Sequence, residues 1–130
     1  MEDADIKGAL MGTVAMLRDL TETLTNARQM LYGASIGLTL AREELADYET
    51  GLRAGIILDG LEGRNEAERQ ARLTVALTHD RDLSRKRDQV RAGEHAVAEA
   101  QALYDRAYRT QQSERAILAA LTAMVSSEAA

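Results

Sequence analysis

Leucine occupies every seventh position from Leu10 to Leu52, at Leu10, Leu17, Leu24, Leu31, Leu38, Leu45 and Leu52. An α-helix turns once every 3.6 residues, so a strict seven-residue row stays on one side only if the helix supercoils left-handedly around another. With the leucines as a positions of a heptad, the d positions are Thr13, Leu20, Ala27, Ala34, Ala41, Tyr48 and Gly55. The seam alternates large residues with mostly small ones. The spacing predicts a helix over about residues 6–58 with a second helix alongside.

Composition agrees with long helices: the chain has no Pro, Phe, Trp or Cys in 130 residues. It therefore has no residue that must break a helix, no disulfide framework and no thiolate for zinc or nucleophilic catalysis. The acidic opening Glu2, Asp3 and Asp5 lacks the basic-then-apolar layout of a signal peptide, which leads us to expect the cytoplasm, of the host cell if the chain is phage-encoded. The uncharged run 29–41 is shorter than the roughly 20 apolar residues of a membrane-spanning helix, so no membrane partner is expected.

Asp3 or Asp5 is expected to cap the first helix, with fraying before Gly12. Glycines recur four apart at Gly8/Gly12, Gly33/Gly37 and Gly51/Gly55, each costing a helix interior about 0.8–1 kcal/mol against alanine. At Gly33 and Gly37 the missing side chains would let another backbone approach. Tyr32, Ile36 and Leu40 make a second apolar row on the side away from the leucines. A helix apolar on two sides belongs inside a bundle or an oligomer, so Tyr32, Gly33, Ile36, Gly37 and Leu40 are the expected oligomer or partner face.

Beyond Leu52 the pattern ends in Gly60 and Gly63, and Asn65 with Glu68 then reads as a capping box. A short helix is expected over about 65–78, with an apolar row of Ala67, Ala71, Leu73, Ala76 and Leu77. Asp80 would cap a long helix over about 81–126, with a kinked fusion of the two as the alternative, and the tail beyond Val125 is expected to fray. Counting by sevens from Leu83 gives Val90, Val97, Tyr104, Gln111, Leu118 and Val125, with Lys86, Gly93, Ala100, Ala107, Glu114 and Leu121 at d. The small residues of the two long helices would meet in an antiparallel hairpin whose seam includes Leu17, Leu24, Leu31, Leu38, Leu45, Val90, Val97 and Tyr104. Gln111 and Glu114 interrupt that seam and would fix its register. The expected fold is all-α: one domain, a coiled-coil-like antiparallel hairpin of long helices with a short intervening helix, assembled as an oligomeric bundle.

Charge is unevenly distributed. Residues 1–63 carry 5 basic and 11 acidic groups, residues 64–91 carry 8 and 5, and residues 92–130 carry 3 and 5. The basic middle centres on Arg81, Arg85, Lys86, Arg87 and Arg91, the candidate nucleic-acid contacts. Asp80, Asp82 and Asp88 are interspersed and no aromatic residue lies beside the cluster, so salt bridging to acidic neighbours is the competing reading. His79 and His95 lack metal-ligand spacing, Glu43, Glu44 and Asp47 lack a completing histidine, and no phosphate loop is present, so neither cofactor nor metal is expected.

The stretch from Leu61 to Leu73, with Ala76, Leu77 and Asp80, resembles small helical proteins of bacteriophages and prophages. In those the turn reads Gly-Lys-Asn-x-x-Glu-Arg, followed by an alanine-leucine run, an acidic cap and a long coiled-coil helix. The matching positions are Gly63, Arg64, Asn65, Glu68, Arg69 and Asp80; Arg81 stands where that pattern often has proline. The resemblance implies a phage or prophage origin and no particular activity. Two functions are then in view: a non-enzymatic interaction or scaffold protein that binds itself and a phage or host protein, or a nucleic-acid accessory factor of phage recombination or replication.

Overall fold

The computed structural model describes residues 3–129. Three helices follow one another: α1 (Asp3–Leu58), α2 (Glu66–His79) and α3 (Arg81–Ala129). Among the described residues there is no strand, and the all-helical hairpin expected from the heptads is the fold observed. The chain forms two compact units. The terminal unit is Met1–Tyr32 with Ala98–Ala130, and the turn unit is Gly33–Val97; α1 and α3 each pass through both.

In the terminal unit the two helices run antiparallel along the heptad rows. Ile6, Thr13 and Ala27 on α1 and Ala100, Ala107, Gln111 and Leu121 on α3 are buried. Leu10, Leu17, Leu24, Leu31, Tyr104 and Leu118 are half-buried between them. Ile6 lies one heptad before Thr13, and its burial holds the first turns in place, so α1 is already helical at Asp3. Asp3 and Asp5 lie inside that first turn. They face the positive end of the helix dipole and do not cap it; the residue before them, Glu2, lies outside the described residues. At the other end α3 continues past Val125 to Ala129 where fraying was expected, with Leu121 buried and Val125 half-buried behind it.

The polar seam residue Gln111 is only 4% exposed, and its Nε2 donates to Thr21 Oγ1 at 3.2 Å. Thr21 in turn donates to the carbonyl of Leu17 at 2.8 Å. A buried amide must find a partner, and a slip of α3 by one residue would separate Gln111 from Thr21. The pair therefore favours the observed register.

In the turn unit the same seam continues with Leu38 and Val90 buried and Leu45 and Val97 half-buried. Gly93 marks its closest approach: a Cβ added there would stand 3.2 Å from Leu38 Cδ1 and 3.4 Å from Leu38 Cα. At Gly33 and Gly37 the same addition would meet nothing within 4 Å, so neither glycine is in close contact within the chain. Glycine at a d position leaves room for the whole leucine opposite.

The helices of the turn unit enclose a core of Leu73, Leu77 and Leu83, against which Leu45, Tyr48, Leu52, Ile56 and Leu61 pack. The apolar row of α2 is shorter than the sequence suggested, because Ala67 and Ala71 are exposed. At the end of α1 the seam also shifts by one: Gly55 is exposed and Ile56 turns inward. A four-residue step from Leu52 to Ile56 follows the 3.6-residue period of a straight helix, which suffices once α2 provides a broader surface than a single helix. The chain then leaves α1 through Gly60, whose φ of +89° favours glycine.

The two glycine environments separate propensity from packing. Gly51→Ala, where the new methyl meets nothing, should raise unfolding free energy by about 0.8–1 kcal/mol. Gly93→Ala should gain less than that or lose stability, because Leu38 must move. Urea denaturation of both variants checks the contrast; an equal gain at both positions would contradict the close Leu38–Gly93 packing.

Candidate functional site

Residues 64–91, where basic groups outnumber acidic ones, span α2 and the start of α3, and their local structure decides whether the basic residues are free to act. Asn65 caps α2 as expected, its Oδ1 accepting from the Glu68 amide at 2.8 Å. The return bond differs from a standard capping box: Glu68 Oε2 accepts from the amide of Arg64, at 2.6 Å, and not from that of Asn65. Gly63 lies under this turn, where a Cβ would come within 2.9 Å of Arg69 Cγ.

Asp80 separates α2 from α3. Its backbone is extended (φ −76°, ψ 116°), its amide donates to the carbonyl of Leu77 at 3.3 Å, and its Oδ1 accepts from the amide of Leu83 at 2.8 Å. One residue thus ends one helix and caps the next, so the two remain distinct and are not fused. The Tyr48 hydroxyl donates to the same Oδ1 at 2.9 Å, and the Lys86 ammonium stands 5.4 Å from the centre of the Tyr48 ring. This half-buried group was not apparent in the sequence, where Tyr48 and Lys86 appeared only as seam positions of separate helices. The bond from the Leu83 amide holds the Asp80 carboxyl below its ordinary value of 3.8, against partial desolvation, with the Tyr48 hydroxyl adding to the effect. The same hydroxyl–carboxylate bond raises the Tyr48 phenol above its ordinary value of 10.0.

Around this cap the basic residues are matched by nearby acids. Arg85 pairs with Asp82, Arg91 with Asp88 at 3.3 Å, and Arg87 approaches Glu49 of α1 at 3.9 Å. Arg69 pairs with Glu66 at 3.3 Å and Arg72 with Glu62 at 3.4 Å. Arg81 is exposed, whereas Lys86 turns to the Tyr48 ring. The five candidate nucleic-acid contacts are spread around the helix and do not share one face.

The residues of the expected partner face are all in water. In the turn unit Ile36 and Leu40, one helical turn apart, are 43% and 54% exposed, with Gly33 and Gly37 exposed beside them. Tyr32, the last α1 residue of the terminal unit, is 69% exposed. Each proposed seam residue, by contrast, is buried or half-buried.

Sites for chemistry are sparse. Among the described residues no group of three His, Cys, Asp or Glu side chains is placed to hold a metal ion. His79, His95, Glu43, Glu44 and Asp47 are exposed. The concavities are open grooves, such as the one between Leu17 and Leu118 edged by Val14, Arg18 and Thr21. Among the described residues no helix is long and apolar enough to cross a membrane. Comparisons with models of known protein families, with curated proteins and with solved structures gave no match.

Because Asp80 is more acidic in the folded chain than in the unfolded one, its contribution to stability is present above the unfolded value and is lost as pH falls through the folded one. Tyr48 has the opposite dependence: its contribution holds below its unfolded value and is lost as pH rises through the raised one. Asp80→Asn should therefore lower Tm at neutral pH while flattening the fall in Tm below about pH 4. Thermal melts of both proteins across pH 2–7 check this; parallel curves would remove the cap from the account.

Proposed function

We propose that this protein is a non-enzymatic helical interaction protein that associates with itself and holds another protein on apolar faces outside its hairpin seam. The observation that carries this reading is the exposure of Ile36 and Leu40 beside a seam that is already filled. A single exposed leucine needs no explanation, but an uncharged run of 13 residues, 29–41, with large apolar side chains outward, is what a helix shows when a further partner covers it. Proteins of this kind from phages and prophages would hold a phage or host component in the same way, and the resemblance of the Gly63–Arg69 turn to theirs supports that origin. Enzymatic function is disfavoured because the groove that gathers polar groups, Glu66, Arg69 and Gln70, has them bonded to one another.

The nucleic-acid reading receives less support. Phosphate binding gains from arginines whose charge is unmatched and whose faces converge. Here Arg85, Arg87 and Arg91 each have a carboxylate within 4 Å.

Light scattering on the full chain should give a mass above one copy across the micromolar range. Ile36→Glu combined with Leu40→Glu should lower that mass without loss of helical content by circular dichroism. A wild-type protein that remains a single copy at high micromolar concentration would refute self-association.

A further inference from the structure

The seam in the terminal unit involves the a and d positions of both helices, and the residues flanking it differ sharply between the two sides. In an antiparallel pair the e positions of the two helices share one flank and the g positions the other. Within the turn unit this is seen directly: the e positions Glu49 and Arg87 approach at 3.9 Å, and Arg42 and Glu94, also e positions, at 3.8 Å. In the terminal unit the e flank likewise carries charge, at Lys7, Arg28 and Arg115, with Val14 and Tyr108 exposed among them. Its Arg28 guanidinium lies 5.9 Å from the Tyr104 ring centre.

Among the described residues the g flank of the same unit carries no charge. On α1 its large residues are Met16 and Met30, fourteen apart, with Thr23 between; on α3 they are Leu103, Ile117 and Met124, with Thr110 completing the seven-residue row. All five large residues are between 42% and 57% exposed. A two-stranded seam needs only a and d apolar, whereas apolar residues at a, d and g widen the stripe to the width helices present inside a bundle of more than two.

We propose that a second copy of this chain packs on the g flank of the terminal unit, its own g flank facing inward, to form a four-helix arrangement. This rests on the self-association proposed above and adds to it a contact separate from the Ile36 and Leu40 face. Three observations favour a like copy as the occupant. The flank has the period of the seam beside it, and a second copy brings the same period, so ridges and grooves match along the length. Among its described residues it bears no charge, so two copies of a chain with net charge −5 meet along that stretch without like-charge repulsion. Finally, the five large side chains of the flank keep 42–57% of their surface exposed, apolar area that a second copy would cover on both molecules at once.

The test uses the full chain. Met16→Glu combined with Ile117→Glu should reduce the mass measured by light scattering by a factor of two relative to wild type, with helical content retained, since both positions are half-exposed. Met16→Lys combined with Ile117→Lys should behave in the same way, and mixing the Glu and Lys variants should restore the larger assembly. The proposal is overturned if the Glu variant assembles as wild type does, or if the two folded variants fail to combine. Should Ile36→Glu with Leu40→Glu alone disperse the wild-type assembly while the flank variants do not, self-association stands and this surface is wrong. A wild-type protein of one copy removes both.

Discussion

Large residues of one helix set against small residues of the other are the constraint on which the rest of the structure depends. Leu38 against Gly93 is the tightest instance, and Ala27, Ala100 and Ala107 are buried at the small positions elsewhere along the rows. Helices that approach this closely exclude water from a seam only two side chains wide, which is how a chain without Phe or Trp buries enough apolar area to fold. The closeness has a further effect. Residues just outside the seam are brought to its edge, so their character decides whether a flank is finished by ion pairs or left apolar.

Electrostatics act here over short range. The sequence shows a basic middle between two acidic stretches, yet Arg85 and Arg91 find carboxylates within one helical turn and Arg87 finds one on the adjoining α1. Exposed pairs of this kind contribute little stability each. Their main effect is to neutralise local charge, so the segment has less unmatched charge than its composition suggests. The exception with structural weight is Asp80, where one carboxylate accepts from a helix-start amide and a tyrosine hydroxyl together.

The helices, their antiparallel pairing and the capping of α2 at Asn65 were legible in the sequence because each rests on local rules: heptad period, helix caps, absence of proline. The Leu73, Leu77 and Leu83 core was not, since it depends on where α2 settles on α1, and two leucines four apart do not specify a neighbour. The shift from Gly55 to Ile56 was hidden for the same reason. A strict heptad is required only while a single helix lies opposite, and the rule lapses where α2 joins. Tyr48, Asp80 and Lys86 come from three places in the chain, and only folding brings them together. The g row was legible in principle, for Leu103, Ile117 and Met124 are separated by multiples of seven, but it is shorter and more mixed than the row of seven leucines.

The two units solve the same packing problem differently. In the turn unit α2 supplies a third helix, whose Leu73 and Leu77 are buried against the half-buried Leu45, Tyr48, Leu52 and Ile56. The terminal unit has no third helix of its own. Its leucines at 10, 17, 20, 24 and 31 stay half-buried, and the residues beside them on the g side are apolar where the e side carries arginine. A flank left to solvent gains nothing from methionine, leucine and isoleucine repeated at seven-residue intervals, and charged residues there would keep the chain apart from its copies. The uncharged row is accounted for if the terminal unit obtains from another molecule the covering helices that the turn unit obtains from α2.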